Sequence, residues 1–371
     1  MHSTGRDLTR LARGVVVSVV AFVLTGCGGA VLKKDYEDFA ASYADSSNGQ
    51  MLMNLARRDQ GHPPYFLQLA SISSSHQHSA TFGTSFSRSD TGTRPTITEQ
   101  LTKTLTPSLS LSSVDTPTFG FAPLAGKSFA NALLSPIGAN VFFSLLGQGV
   151  SADQLLRTMT QKVTFEWASG ERLHLRNVPD EERLDSFRNF LRFAGLMREM
   201  QKQGLFDVTA KGMKFNGGME GMFALIASDP DRYNFLEGVH TKRTKGRPKV
   251  EFSFRTFDAL LTAMATEQAV FDYLVARHKD DFLDKIPASQ TQPILRTKWA
   301  GVKSATSNPV VAATYRGTKY EIKDLVVDDP STSWRERERW NRDSFHLLTE
   351  MFSVISLDPS QLPAQQLIQV R

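Results

Sequence analysis

Ser79-Ala-Thr-Phe-Gly-Thr-Ser-Phe-Ser87 and, further along, Leu105-Thr-Pro-Ser-Leu-Ser-Leu-Ser112 alternate apolar and small polar residues. In the first stretch Ala80, Phe82 and Phe86 oppose Ser79, Thr81, Gly83, Ser85 and Ser87. In the second, Leu105, Leu109 and Leu111 oppose Ser108, Ser110 and Ser112. A period of two is the strand signal, because successive side chains leave a pleated backbone on opposite faces. Between the stretches, Arg88-Ser-Asp-Thr-Gly-Thr-Arg-Pro95 is turn chemistry. Residues 65–124 therefore read as a long, Ser/Thr-rich β-hairpin region. Pro107 and Pro117 call for edge positions, since proline has no N–H to give a ladder.

Outward from this hairpin the periodicity turns helical. Upstream, Lys33–Tyr43 and Gln50–Arg58 read as two short helices separated by Asp45-Ser-Ser-Asn-Gly49, with Leu52 and Leu55 inward. His62-Pro63-Pro64 ends the second helix, and Tyr65–Ile72 is a strand candidate. Downstream, residues 125–286 read as a mainly helical body. Gly126–Leu134, Ala139–Leu146, a segment opened by a Ser151/Gln154 capping box, Asp180–Gln203 and Thr256–Arg277 all carry helical patterns. Val163–Trp167 is open to either strand or helix continuation, and Val250–Phe254 reads as a strand. In residues 287–371, Val310–Tyr315 and Lys319–Ile322 flank Arg316-Gly-Thr318 as a small hairpin, and Ser344–Ile355 is a terminal helix. The expected fold class is α+β: a mainly helical body, a long N-terminal hairpin and a small C-terminal one.

The first 26 residues have a different character. Arg6, Arg10 and Arg13 precede an unbroken apolar run, Val15–Leu24, which is shorter than the ~20 residues needed to span a bilayer as a helix. A charged segment, a short apolar run and small residues after it make a signal peptide over residues 1–26. The run ends in Leu24-Thr25-Gly26-Cys27, which resembles the lipobox of bacterial lipoproteins. That resemblance implies diacylglyceryl transfer to the Cys27 thiol, cleavage before it and acylation of the new amine. Two or more acyl chains anchor stably, at about 0.8 kcal/mol per buried CH₂. Gly28 at the following position, where an aspartate would imply inner-membrane retention, resembles a signal for the outer membrane. Residues 27–64 then form the anchor and N-terminal helices.

Cys27 is the only cysteine, so neither a disulfide nor a thiolate metal cluster can form within the chain. Without residues 1–26 the chain carries 40 basic and 37 acidic residues, too even a balance to suggest nucleic acid as a partner.

Three stretches are similar to a group of uncharacterised bacterial envelope lipoproteins. They are Asn54-Leu-Ala-Arg57 with Pro64-Tyr-Phe66, Pro117-Thr-Phe-Gly-Phe-Ala-Pro-Leu-Ala-Gly126 with Phe129 and Leu133-Leu-Ser-Pro-Ile137, and Tyr315-Arg-Gly-Thr-Lys-Tyr-Glu-Ile322 before Phe345-His-Leu-Leu348. In that group a Ser/Gly-rich alternating segment lies between the first two motifs, as it does here. The resemblance implies this topology and no activity. The chain departs from it in Val326–Asn341, which holds Asp328-Asp-Pro330 and Trp334-Arg-Glu-Arg-Glu-Arg-Trp340.

Candidate chemistry is sparse. His76 and His78 share one face of a strand, a spacing that suits two metal ligands, but no third ligand is near, and exposed polar residues explain them. Lys242, Arg243, Lys245, Arg247 and Lys249 form a cationic loop suited to an anionic surface, or simply to solvent. Trp334 and Trp340 suit either a partner surface or the core. No nucleophile elbow, His-Glu-x-x-His, phosphate loop or dinucleotide fingerprint occurs. No catalytic residue, metal or cofactor is expected.

The leading expectation is a non-enzymatic structural or assembly lipoprotein, membrane-bound through Cys27, facing the periplasm, with a protein partner or further copies of itself. The first alternative is an oligomeric pore or secretion component built on residues 76–121, with Phe82, Phe86, Leu109 and Leu111 facing lipid or a partner; the same period of two also fits a soluble hairpin that packs these four residues on the helical part. The second is an envelope hydrolase with an unrecognised site.

Overall fold

The structure is a computed structural model that describes residues 28–87, 104–209, 212–216, 220–236, 248–278, 282–283, 286–326 and 334–355. These fall into two units, one a helical body from residues 28–65 and 125–355, the other from residues 66–124. The fold class is α+β as the periodicity indicates.

The second unit is a two-stranded antiparallel sheet of β1 (Leu67–Ser87) and β2 (Thr104–Pro123). The register runs from Leu67 opposite Pro123 to Ser87 opposite Thr104, with one bulge between Leu69 and Ser71. Pro107 and Pro117 lie in β2, an edge strand because the sheet has only two members.

The body begins with α1 (Gly28–Asp59), one continuous helix where the sequence suggests two. Asp45-Ser-Ser-Asn-Gly49 does not break it. Each of these poor helix formers costs at most about 1 kcal/mol, Gly49 the most, and extending a helix from an already fixed turn is cheap. That turn is fixed by burial of Met51, Leu52, Leu55 and Ala56. Its end is tied down by polar contacts: Lys298 donates to Asp59 at 2.8 Å, the Tyr320 hydroxyl donates to Asp59 at 2.8 Å, and Arg58 pairs with Asp258. Burial, followed by the Asp59 hydrogen bond, pushes the Tyr320 phenol up to about 12.

Four further helices form the middle of the body: α2 (Lys127–Leu134), α3 (Ala139–Gly147), α4 (Ala152–Met159) and α5 (Leu184–Lys202). β3 (Thr160–Glu166) continues directly from α4, which resolves Val163–Trp167 as a strand. It is the central member of an antiparallel sheet between β4 (Arg172–Arg176) and β7 (Lys249–Phe254). Val163 lies opposite Leu175 and Phe252, and Phe165 opposite Leu173 and Val250, so one face is apolar in every row. Phe165 meets Phe193 of α5 edge-on at 5.5 Å and Phe235 at 5.0 Å, which places the aromatic core between this face and α5. A short hairpin of β5 (Phe206–Thr209) and β6 (Gly212–Phe215) follows, with α6 (Glu220–Ser228) and α7 (Pro230–Tyr233).

α8 (Phe257–Arg277) is capped by the Thr256 hydroxyl. The predicted C-terminal hairpin is β8 (Val311–Tyr315) with β9 (Thr318–Ile322). The turn between them places both Arg316 and Gly317 at positive φ, as a two-residue hairpin loop of the primed type requires. α9 (Trp334–Ile355) starts ten residues before the expected Ser344, taking up the mixed-charge run. Arg339 at the end of that run pairs with Asp343 one turn on, at 3.4 Å.

α4 is buried at every position, yet it carries Asp153, Gln154, Arg157 and Thr158. Its last carbonyls have no intrahelical partners. Asn177 Nδ2 donates to Arg157 O at 2.6 Å and to Thr160 O at 2.7 Å, and Arg255 donates to Arg157 O at 2.8 Å and Thr158 O at 3.0 Å. A guanidinium at a helix C-terminus also meets the negative end of the macrodipole. Burial lowers Arg255 to about 10, which leaves it charged at neutral pH. Arg157 donates to Glu267 at 2.5 Å and to Gln290 and Gln292 O at 3.3 Å. Replacement of Arg157 by methionine strands the Glu267 carboxylate in the core. The expected cost is about 3–5 kcal/mol, read as a lower urea midpoint at pH 7, with partial recovery in Arg157→Met/Glu267→Met. An unchanged midpoint in the single variant contradicts a stabilising role for the pair.

Candidate functional site

The start of α4, the middle of α5, the turn at Ala288–Gln290 and the face of α9 enclose a cavity of about 580 Å³ within the body. Gly195 sets the spacing of one wall. A Cβ at this position of α5 would lie 2.5 Å from Pro287 Cγ, so only glycine lets α5 approach the segment leading to Ala288.

Asp153 is the most constrained group of the wall. One carboxylate oxygen accepts from the Ser151 hydroxyl and from Gln154 N at 2.9 Å; the other accepts from Gln290 Nε2 at 2.8 Å. The Gln290 oxygen in turn accepts from Arg157. The amide is thereby oriented from both sides, its acceptor toward a guanidinium and its donor toward a carboxylate. Burial raises the Asp153 pKa above the ordinary carboxylate range, against the opposing pull of the Ser151 hydrogen bond and the Arg198 charge.

The expected capping box is not formed. Ser151 turns its hydroxyl to Asp153, and no side chain of its own caps the helix. Gln201 of α5 does that work instead, accepting from Ala152 N at 2.9 Å while its amide donates to Val150 O at 2.9 Å. Gln154 reaches away to α9, donating to Trp340 O at 3.0 Å and Ser344 at 2.9 Å. A buried helix end takes partners from wherever the packing brings them, and here a distant helix arrives first.

Two more titratable groups of the wall are raised chiefly by burial: Asp343, although the Arg339 charge opposes it, and Tyr233, with Glu199 adding to the effect. Arg198, Lys202, Arg232 and His346 line the same space. The cavity thus offers carboxyl groups that hold protons to higher pH than usual, beside cations, an arrangement suited to polar ligands carrying both signs or to proton transfer.

The residues singled out from sequence scatter. Cys27 and Lys242, Arg243, Lys245 and Arg247 lie outside the described residues, as does Asp328-Asp-Pro330. Lys249 is exposed and opens β7 opposite Glu166. His76 and His78 take register positions in β1 opposite Asp115 and Ser113. No group of three or more potential metal ligands occurs among the described residues. Phe82 pairs in register with Leu109, Phe86 with Leu105, and Ala80 with Leu111. Trp340 is a core residue whose indole donates to Ile294 O at 3.1 Å. The cavity escaped sequence reading because its walls come from five distant segments; an acid at the start of an apolar helix explains itself without a cavity.

Asp153 binds its proton more tightly in the folded chain than in the unfolded one. Its contribution to stability is therefore full below the unfolded value near 4 and declines as pH rises through the folded pKa. Asp153→Asn should be less stable than the parent, because its amide N–H₂ confronts the Gln290 donor, and should lack this decline. Urea midpoints between pH 4 and 7 measure both effects, and parallel profiles for the two proteins would contradict the assignment. The chain matches no protein-family model, no curated protein and no solved structure.

Proposed function

We propose that the protein is a lipid-anchored component of the bacterial envelope, held at the outer membrane by acyl chains on Cys27, with its body in the periplasm as a structural or assembly element. The observation that carries this reading is Leu24-Thr-Gly-Cys27 at the end of a short apolar run, directly followed by a helix that begins at Gly28. No described helix is long and apolar enough to cross a membrane. Tyr36 and Tyr43 on the first part of α1 are exposed, whereas its last turns are buried in the body. An exposed stretch of helix ahead of buried turns suits a spacer between an anchored residue and a folded mass.

The test is metabolic labelling with radioactive palmitate. The full-length protein should incorporate label and co-fractionate with outer membranes, while Cys27→Ala should incorporate none and lose the membrane fraction. An unlabelled parent, or a labelled variant, overturns the reading.

One observation favours a second reading, an envelope hydrolase: Asp153, Asp343 and Tyr233, all raised by burial, line one cavity with Ser151, Ser289 and His346. If that cavity is catalytic toward the cell-wall polymer, the purified protein releases soluble fragments from murein sacculi, and Asp343→Asn abolishes the release. Release no greater than from buffer alone argues against it.

A further inference from the structure

The register of the β1–β2 hairpin separates its residues by chemistry more sharply than either strand does alone. Directly opposed residues of an antiparallel pair share a face. Ala80–Leu111, Phe82–Leu109 and Phe86–Leu105 therefore fall on one face, interrupted only by Thr84–Pro107. The intervening rows, Thr81–Ser110, Gly83–Ser108 and Ser85–Thr106, fall on the other. From Ser71 to Ser87 that second face holds only Ser, Thr and Gly, apart from the Gln77–Val114 row. A shift of one residue between the strands would mix the two sets. Ser79–Ser87 and Thr104–Ser112 also contain no charged residue.

These properties are wrong for a hairpin exposed to water. A two-stranded sheet is marginal by itself, and both of its edges present unpaired donors and acceptors. Water-exposed edges are usually protected by charges, which this stretch lacks, or by proline, which only β2 carries, at Pro107 and Pro117. They are right for the wall of a barrel in lipid, apolar outside and small and polar inside. The apolar rows run over seven residues of each strand, Ala80–Phe86 and Leu105–Leu111. At ~3.3 Å per residue that is roughly 23 Å of strand, or about 16–19 Å of membrane depth at the ~35–45° tilt of outer-membrane barrel strands, shorter than their ~25 Å apolar band. Below it the same face turns polar at His78–Ser113 and His76–Asp115, where a membrane–water boundary would fall.

We infer that hairpins from several copies of this chain pair edge to edge into one closed barrel through the membrane to which Cys27 is tethered, with the Ala80–Phe86 face toward lipid and the Ser/Thr/Gly face around an aqueous lumen. Closure is required because lipid cannot satisfy open sheet edges. The smallest such barrels have about eight strands, so at least about four copies must contribute. Pro107 and Pro117 remove two donors from β2, and the remaining donors of the strand supply the ladder. The lumen rows of the apolar zone carry no charge, so the pore conducts water-sized and small hydrated solutes with little preference for cations over anions.

This rests on the lipid-anchor reading, which places the chain at a bilayer, and the test separates the two. Acylation consumes the only native thiol, so single cysteines can be placed in the palmitate-labelled protein and tagged with an environment-sensitive fluorophore after reconstitution in phospholipid vesicles. Phe82→Cys and Phe86→Cys should be quenched several-fold more by spin-labelled lipids than Thr81→Cys and Ser85→Cys, and the latter pair by aqueous iodide. In planar bilayers the parent should give discrete conductance steps. Phe82→Asp should abolish them, whereas Thr81→Asp should keep them and shift selectivity toward cations. Uniform quenching at all four positions in protein that retains its palmitate overturns the barrel. Alternating quenching in protein that lacks palmitate supports the barrel and overturns the anchor reading instead.

Discussion

α4 is eight residues long and closed to solvent at every one of them, yet it holds a carboxylate and a guanidinium one turn apart. An unpaired charge in such a place costs far more than a helix this short could return, so the packing around α4 is obliged to supply partners. Asn177 from the end of β4, Arg255 from the end of β7, Glu267 from α8, Gln290 and Gln292 from the turn before residue 293, and Gln201 from α5 all converge on it. The sheet, the long helices and the C-terminal segment are thus fixed relative to one another by the polar demands of one helix, while the aromatic cluster around Phe165 supplies the apolar burial.

The same demand shapes the cavity. Asp153 cannot be satisfied from α4 alone, and the Gln290 amide that completes it is held in orientation by Arg157, four residues further along α4. Gln154 meanwhile ties α4 to α9. The walls are consequently rigid polar groups with their hydrogen bonds already committed, and a raised carboxyl in such a setting stores structural tension as much as it offers chemistry.

What could be read from the residues follows from the range of the forces involved. Period-two alternation is local, so the strands around Phe82 and Leu109 are legible, as is the turn at Arg316-Gly317. The stripe of Leu184, Phe187, Leu191, Ala194 and Met197 announces α5, and all but the half-buried Leu184 are buried. Readings failed where a distant element decided the outcome. The run Asp45–Gly49 looks like a break until the last turns of α1 are docked through Asp59. Ser151 looks like a cap until Gln201 displaces it. β4, β5 and β6 alternate over only four or five residues, too few for the period to stand out from chance, and they exist because a neighbouring strand pairs with them. The cavity is the extreme case, since no two of its walls are adjacent in sequence.

The hairpin poses the opposite problem: its sequence is explicit, but a two-stranded sheet does not by itself supply what covers its apolar face. Ser/Thr/Gly rows opposite a Phe/Leu face gain nothing from water on both sides, because the apolar rows would stay hydrated and the edges would invite pairing. A single hairpin also has too little width to fold over and bury its own apolar face. The pattern becomes stabilising when the apolar face is covered, and in the barrel inferred above a hydrophobic phase covers it while each edge meets another strand. The two conditions are linked, since in hydrocarbon an unpaired backbone amide costs several kcal/mol and edge pairing ceases to be optional. Further copies of the same hairpin satisfy both conditions without any other protein. An acyl anchor would serve that assembly by confining every copy to one surface, where the loss of translational freedom on association is largely met before the first edges touch.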